Sequence, residues 1–233
     1  MITHKLQAII FDVDGTLVHS EREGHWPACN DAFQQLGLPL HWDWETFKEL
    51  LHIPGNANRL KYWLTSHLGW DEQQATEMVA RFEPIKKKIY IEHYLPNLSL
   101  RKGVIHLLDE AINAQIPLAI VSTTYESQIH ALLARQLKPY RAFFQIILGK
   151  ESGPKTGENG ILYEKCVQLL SVPPSHILVI EDSQAGLQAA LKAGLPVAVF
   201  YNEVTWGENF TGARLVARSL APFNLKMLEE LCL

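Results

Sequence analysis

Three acidic residues in two distant parts of the sequence have the chemistry of a site for a divalent cation. Asp12 and Asp14 are separated by one residue and followed by Gly15, and Asp182 lies far along the chain, directly after Glu181. Neighbouring carboxylates repel one another unless a cation or a proton compensates their charge. Mg²⁺ prefers such oxygen ligands, so the pattern favours a magnesium site, although an isolated Asp-x-Asp pair is more often part of a turn.

Hydroxyl groups and a lysine elsewhere in the chain would turn such a metal site into a phosphate site. Ser122, Thr123 and Thr124 are consecutive, and Lys155 lies in a later loop. A metal ion and a lysine neutralise phosphate charge while hydroxyl groups hold the oxygens, and a carboxylate can then attack phosphorus to form an aspartyl-phosphate. Taken singly, the hydroxyls are typical of a helix N-cap and Lys155 of a solvated loop. Their joint occurrence favours the phosphate site.

The elements that must position these residues are those of an α/β protein. Apolar runs rich in Ile and Val predict buried strands, and helical patterns separate the later ones. Such an alternation predicts a doubly wound parallel sheet, in which ligands bind at the carboxyl ends of the strands. The candidate residues follow such ends. The strands are predicted at 6–11, 117–122, 144–148, 177–180 and 196–201, and the helices at 104–114, 127–137, 161–170 and 184–193.

The stretch 19–97 breaks this alternation, because it contains no convincing strand and has the pattern of several amphipathic helices. We therefore predict a helical domain of residues 19–97, inserted into an α/β core of residues 1–18 and 98–233. The basic run Lys86-Lys87-Lys88 is predicted to be a solvated helix face. Five of the six tryptophans fall in the insert and are predicted to form its core rather than a ligand site: Trp26, Trp42, Trp44, Trp63 and Trp70.

Composition and charge argue against several classes of protein. The 233 residues are 47% hydrophobic and 20% charged, as in ordinary globular proteins. A net charge of −4 gives no basic surplus for nucleic acid or an anionic membrane, and no apolar stretch is long enough to span a bilayer. Three scattered cysteines without a CxxC pair argue against a disulfide framework or a zinc site, and they favour a reducing, cytoplasmic location. Without a heptad pattern, a monomer is expected.

Four segments of the sequence resemble the motifs of the haloacid-dehalogenase-like hydrolase superfamily: FDVDGTL, VSTT, a loop lysine and VIEDSQAG. The resemblance implies that Asp12 is the nucleophile that becomes phosphorylated. Asp14 would protonate the leaving oxygen and then activate water, a role that the family's dehalogenases do not need because a halide leaves without a proton. Ser122 would hold the transferring phosphoryl group and Lys155 would steady the charges. Lys150 remains the alternative lysine, because the loop 149–159 departs from the family's usual sequence.

The same resemblance implies a Mg²⁺ site and a helical cap over the active site. The implied metal-binding residues are Asp12, Asp14 (through its backbone carbonyl), Glu181 and Asp182. The position of the insert, directly after the first motif, is that of the family's helical-cap subclass. Family members with an intact acidic pair process phosphate esters, so the resemblance implies a phosphatase or a related phosphoryl-transfer enzyme.

The insert itself resembles the cap of the CbbY-type sugar-bisphosphate phosphatases, on the segments DGTLVHSEREGHWPACNDAF and GLPLHWDWETFKELLHIPGNANRLKYW. This implies a sugar-phosphate substrate, with D-xylulose 1,5-bisphosphate as the named case; Glu21 and His25 would face the sugar and Arg59 the distal phosphate. Each of the three also fits an ordinary structural role. Related caps carry a lysine where this chain has Ala57, which leaves a second phosphate in doubt. The candidate substrate-binding residues are Glu21, His25, Gly55, Asn56, Asn58, Arg59, Thr123 and Thr124.

Three functions are consistent with this pattern. The leading hypothesis is a Mg²⁺-dependent phosphatase acting on small sugar phosphates. A phosphosugar mutase of the β-phosphoglucomutase type would use the same scaffold, with a sugar hydroxyl in place of water as the acceptor. A non-catalytic phosphosugar-binding protein is disfavoured, because Asp12, Asp14 and Asp182 are all present.

Overall fold

The computed structural model describes residues 5–158 and 160–232. The chain forms two compact units, one made of Met1–His19 with Ser99–Leu233 and the other of Ser20–Leu98. We refer to them as the α/β unit and the helical unit. That the helical unit acts as a cap stays a prediction. The outermost ends of the predicted core, 1–4 and 233, and the last residue of the predicted lysine loop, Asn159, lie outside the described residues.

The helical unit contains four α-helices: α1 (Trp26–Gln35), α2 (Trp44–Glu49), α3 (Asn56–Ser66) and α4 (Glu72–Ile89). The longest, α4, begins at a capping box in which the Asp71 carboxylate accepts from the Gln74 N–H at 2.8 Å. Trp42 is fully buried, as predicted for the core, and its ring meets that of Phe33 edge-on at 4.7 Å. The other four tryptophans of this unit are only partly buried. Short π-helical turns at Glu21–His25 and Tyr90–Tyr94, and 3₁₀ turns at Leu50–His52 and Leu95–Asn97, complete the unit.

The prediction that Lys86-Lys87-Lys88 forms a solvated helix face is wrong at its first residue. Lys86 is buried, while Lys87 is half-buried and Lys88 is exposed. The reason is the helical period, because Lys86 lies four residues after the buried Phe82 and three before the buried Ile89. A run of three basic residues therefore crosses from the buried face of α4 to the solvent.

Within residues 5–158 and 160–232, the α/β unit is built on six parallel strands in the order β3-β2-β1-β4-β5-β6. They are β1 (Ala8–Phe11), β2 (Leu118–Val121), β3 (Phe144–Leu148), β4 (Ile177–Glu181), β5 (Val197–Phe200) and β6 (Leu215–Ala217). Phe11 pairs with Ile120 on one side and with Ile180 on the other, so β1, β2 and β4 end side by side. The chain order reverses between β1 and β4, which is the position where open α/β sheets bind their ligands.

Both faces of the sheet are covered. All four residues of β1 are buried although successive side chains point to opposite faces, and the same holds for β2, β4 and β5. This confirms the predicted doubly wound parallel sheet. The helices of this unit are α5 (Val104–Asn113), α6 (Glu126–Arg135), α7 (Leu162–Leu170), α8 (Gln184–Lys192) and α9 (Leu225–Glu229), with 3₁₀ turns at Arg141–Phe143, Lys150–Ser152 and Pro174–His176.

Two elements of this unit were not predicted, namely the edge strand β6 and the helix α9. Each has three to five residues, which is too short to show a strand or helix period. Among the described residues, no helix is both long enough and apolar enough to cross a membrane.

The segments by which the chain leaves and re-enters the α/β unit pair with each other. The His19 N–H donates to the Ser99 carbonyl at 3.0 Å, and the Arg101 N–H donates to the Leu17 carbonyl at 2.9 Å. Between them, Val18 and Leu100 form an antiparallel bridge. The two segments are therefore held as a short two-stranded ribbon that belongs to the α/β unit.

Candidate functional site

The end of β1 is fixed against β4, with Asp12 as the first residue beyond the strand. The Asp12 N–H donates to the Ile180 carbonyl at 3.0 Å. The loop that follows turns at Gly15, whose φ of +80° favours glycine. A Cβ at Gly15 would also collide with the side chains of Asp182 and Asn202. The glycine of the first motif therefore lets this loop pack against the end of β4.

Three buried carboxylates meet at this edge of the sheet. Asp12, Glu181 and Asp182 each offer an oxygen, and these oxygens lie within 4.8 Å of one another. Burial raises the pKa of Asp12 to about 7, with the charge of Glu181 adding to the effect and that of Lys155 opposing it. Burial also raises the pKa of Asp182 well above its usual range, and the charges of Asp12 and Glu181 raise it further. The raised pKa values show that holding several negative charges together here costs free energy unless a cation compensates them. A hard divalent cation such as Mg²⁺ would provide that compensation and prefers oxygen ligands.

Lys155 lies within this cluster of carboxylates. Lys155 Nζ is 2.5 Å from Asp12 Oδ1 and 2.6 Å from Glu181 Oε1, and the side chain is buried. Burial lowers the pKa of Lys155, but the two carboxylates more than offset this and raise it, so the ammonium group stays charged. Lys150, the alternative, is exposed and donates to the Tyr125 hydroxyl at 2.8 Å. The structure brings Lys155, and not Lys150, to Asp12.

Two residues around Glu181 were not identified from the sequence. The buried Tyr163 hydroxyl donates to Glu181 Oε1 at 2.7 Å. This oxygen therefore accepts from both Tyr163 and Lys155. Gly186, in the first turn of α8, packs so closely that a Cβ would collide with the Glu181 carboxylate. A tyrosine within an amphipathic helix gives no signal of this kind, since its pattern is that of a core residue.

The polar residues that follow β2 divide into three environments. The Thr124 hydroxyl donates to Asp14 Oδ2 and is therefore engaged with the acidic pair. Ser122 is fully buried, and its Oγ accepts from the Thr124 N–H at 3.2 Å. Its hydroxyl proton makes no hydrogen bond to the described residues. Thr123 is exposed. The site thus contains a buried hydroxyl, an acid held by a second hydroxyl, and a surface threonine.

In the helical unit, a buried histidine and a buried lysine are in direct contact. Lys86 Nζ lies 2.7 Å from His25 Nδ1, and the His25 ring stacks on Tyr90 at 4.3 Å. Glu21, four residues before His25, is half-buried, and its Oε2 atom is buried with no hydrogen-bond partner among the described residues. Lys86 was missed from the sequence because it was taken for part of a solvated basic run.

The predicted phosphate-binding segment forms the start of α3. Gly55 precedes the helix with φ at +84°. The buried Arg59 donates through Nη1 to Asn56 Oδ1 at 2.7 Å and through Nε to the Ile53 carbonyl at 2.9 Å. Its Nη2 makes no hydrogen bond to the described residues. Asn58 is exposed and donates to a backbone carbonyl four residues earlier. Arg59 is thus held by its own helix start and is not a surface ion-pair residue.

Comparison with known proteins places this arrangement in a family. The family model described as haloacid dehalogenase-like hydrolase matches residues 6–194. Protein CbbY from Rhodobacter capsulatus is 34% identical over 211 residues, which cover 90% of this chain and 91% of the relative. Beta-phosphoglucomutase from Bacillus subtilis is 25% identical over 97% of this chain and 95% of its own length.

Solved structures agree with these relatives. The crystal structure of CbbY from Rhodobacter sphaeroides in complex with phosphate has a TM-score of 0.85 and 32% identity, and covers 96% of this chain and 99% of its own. A mutant of that protein, solved in complex with xylulose-(1,5)bisphosphate, has the same TM-score and coverage at 31% identity. The family match spans well over half of the chain and includes the ends of β1, β2 and β4. The chain belongs to the haloacid dehalogenase-like hydrolase family.

Proposed function

We propose that this chain is a Mg²⁺-dependent phosphatase that hydrolyses small sugar phosphates, with a ketose bisphosphate such as xylulose 1,5-bisphosphate as a candidate substrate. The observation that carries the proposal is the contact of the buried Lys155 with Asp12 inside a cluster of carboxylates. The xylulose-(1,5)bisphosphate bound to a structural neighbour supports the substrate class. Because the sequence has no heptad pattern, we propose that the enzyme acts as a monomer.

The reaction would proceed in two displacements at phosphorus. In the first, a carboxylate oxygen of Asp12 bonds to phosphorus while the bond from phosphorus to the sugar oxygen breaks, and that oxygen takes a proton from Asp14. In the second, Asp14 takes a proton from a water molecule, whose oxygen bonds to phosphorus, and the Asp12 carboxylate leaves with inorganic phosphate released. The hydroxyl of Thr124 donates a hydrogen bond to Asp14, and it would hold this acid in place for both steps.

The metal would be held by Asp12, Glu181 and Asp182, with the backbone carbonyl of Asp14. Bound Mg²⁺ supplies positive charge that stabilises the phosphoryl oxygens. Lys155 contributes a second positive charge at Asp12, and it keeps the nucleophile ionised when the phosphate dianion approaches.

The Ser122 hydroxyl would donate a hydrogen bond to an oxygen of the phosphoryl group. This hydroxyl is buried and has a proton to donate, since its own oxygen already accepts from the Thr124 N–H. A preorganised donor of this kind needs little reorganisation when negative charge develops on the phosphoryl oxygens. Thr123, which is exposed, remains a candidate for contact with the rest of the substrate.

Recognition of the sugar would fall to the helical unit. Lys86 joins Glu21 and His25 as a proposed contact for sugar hydroxyls, because the three present two charged groups and a ring nitrogen. Arg59 has Nη2 left for a distal phosphate. Gly55, Asn56 and Asn58 stay candidates at the start of α3, where a backbone amide and side-chain amides can reach an anion.

A phosphosugar mutase is the second candidate, and the likeness to beta-phosphoglucomutase from Bacillus subtilis supports it. The first displacement would be the same. In the second, a sugar hydroxyl instead of water would take the phosphoryl group from Asp12. The two functions differ in their products, because the phosphatase releases inorganic phosphate and the mutase gives an isomer of the substrate.

The test is phosphate release from a panel of sugar monophosphates and bisphosphates, in Mg²⁺ and in EDTA. We expect release that requires Mg²⁺ and that Asp12→Asn abolishes, whereas Glu230→Gln, which changes an exposed carboxylate near the chain end, leaves the rate unchanged. The substrate with the highest kcat/KM identifies the class. Failure to release phosphate from any compound by the folded protein would refute the phosphatase, and formation of an isomer would support the mutase.

A further inference from the structure

One contact of Asp182 comes from a segment outside all of the motifs. Asn202, two residues beyond β5, donates through Nδ2 to Asp182 Oδ2 at 2.6 Å. The same nitrogen lies 3.5 Å from the Gly15 carbonyl oxygen. The other carboxylate oxygen, Asp182 Oδ1, has only a long contact of 3.5 Å with the Thr16 hydroxyl. Among the described residues, Asn202 is therefore the closest side-chain donor to Asp182.

The amide group of Asn202 is fixed by its own turn. Its Oδ1 accepts from the backbone N–H groups of Val204 at 2.8 Å and Thr205 at 3.2 Å. Its backbone N–H donates in turn to Thr205 Oγ1 at 3.0 Å, and Thr205 is buried. This is an Asx turn. Because two N–H groups face Oδ1, the opposite end of the amide must be the nitrogen, and the donor is aimed at Asp182.

A neutral donor at this position differs from a cation in its effect on a metal ligand. A lysine or arginine bonded to Asp182 would neutralise the carboxylate and compete with a divalent cation for it. The nearby Arg101 instead donates to the backbone carbonyls of Gly15, Tyr201 and Arg218. The amide of Asn202 restrains the orientation of the carboxylate without adding a positive charge that would compete with the metal.

We propose that Asn202 is a positioning residue of the metal site, which holds the Asp182 carboxylate in the orientation that Mg²⁺ binding requires. The inference rests on the proposed function, in which Asp182 is a metal ligand. Partners that orient ligands in this way typically contribute about 10–100-fold to metal affinity. Asn202 acts through Asp182 and does not itself touch the substrate or the reacting atoms.

The experiment is a calorimetric titration of MgCl₂ into the full chain without substrate. In Asn202→Ser, the serine hydroxyl can still accept from the following backbone amides, but it is too short to reach Asp182. We expect the Kd for Mg²⁺ to rise about 10–100-fold, and kcat to recover towards the wild-type value at saturating Mg²⁺. Asn202→Thr is the second variant with the same expectation. Circular dichroism and thermal unfolding in EDTA check that each variant folds.

Thr205→Val is the matched control for loosening of the turn. It removes the hydroxyl that accepts from the Asn202 N–H and leaves Nδ2 in place, so the Kd for Mg²⁺ should stay within about twofold of wild type, far less than the loss of an orienting partner. The inference is overturned if Asn202→Ser binds Mg²⁺ as the wild type does, or if Thr205→Val weakens binding equally. A wild-type protein that binds no Mg²⁺ would refute the metal-dependent function as well, so the two failures are distinguishable.

Discussion

Replacement of Lys155 by methionine removes the ammonium group that contacts Asp12 and Glu181 and keeps a flexible side chain of similar length. Lys155 makes two ionic contacts, with Asp12 at 2.5 Å and with Glu181 at 2.6 Å, and only 5% of the residue is exposed. Without the ammonium group, both buried carboxylates lose their ionic contact, although Glu181 keeps the hydrogen bond from the Tyr163 hydroxyl. Lys150→Met is the matched control, because Lys150 lies in the same loop and is exposed.

The expected loss follows from the burial of both partners. Removing one member of a buried ion pair destabilises a protein by about 3–5 kcal/mol, since an uncompensated buried charge remains. We expect the upper part of this range, because one lysine serves two carboxylates. For a chain of this length each kcal/mol lowers Tm by about 2–4 °C, so a loss of about 4–5 kcal/mol should lower Tm by about 8–20 °C. Lys150→Met should change Tm little, because Lys150 is exposed and water can replace the contact of its ammonium group with the Tyr125 hydroxyl.

The assay is thermal and urea unfolding of both variants in EDTA and in Mg²⁺. A divalent cation at the cluster should restore part of the stability that Lys155→Met loses, because it replaces the missing positive charge. Equal effects of Lys155→Met and Lys150→Met would refute the reasoning. The reasoning would also be refuted if Mg²⁺ did not restore any of the stability that Lys155→Met loses, because the carboxylates would then not bind the metal.

Three further substitutions test the packing and the polar contacts around the sites. In Gly186→Ala, helix propensity alone would stabilise α8 by about 1 kcal/mol. The clash of the new Cβ with the Glu181 carboxylate should outweigh this gain and lower Tm. A raised Tm would show that Gly186 does not pack against Glu181 in this way. Tyr163→Phe should cost about 1–3 kcal/mol in urea unfolding, since the buried Glu181 loses a donor. Lys86→Met should lower kcat/KM for the best sugar phosphate about 10–100-fold, the equivalent of one charged hydrogen bond, whereas the exposed Lys88→Met should not change it.

The fold and the centre of the site could be predicted because the polar site residues lie at the ends of apolar runs that have a clear strand pattern. Asp12, Ser122 and Asp182 each lie at most two residues after an apolar run, and in a parallel sheet the ends of such runs share one edge. The short edge strand β6 could not be found, because three residues carry no period. Neither could the contacts that hold the carboxylates be found.

Those missed contacts have a common physical origin. Asn202 and Tyr163 reach the cluster from segments whose own patterns are those of a turn and of a core helix. Lys86 was misjudged because three successive basic residues suggest solvent, whereas the helical period places the first of them beside Phe82 and Ile89. Neighbours of a site are set by the tertiary fold, and a single sequence carries no local record of them.

The ribbon formed by the segments around residues 18 and 100 has an evolutionary consequence. A hydrogen bond of 3.0 Å already joins His19 to Ser99. The residues between them therefore form a loop whose two ends the α/β unit holds together. Loop-closure entropy grows only slowly with length, and the ribbon fixes those ends regardless of what they connect. The α/β unit can therefore exchange its insert as a module, from a short turn to a whole domain, while β1 and the proposed catalytic carboxylates that follow it stay unchanged.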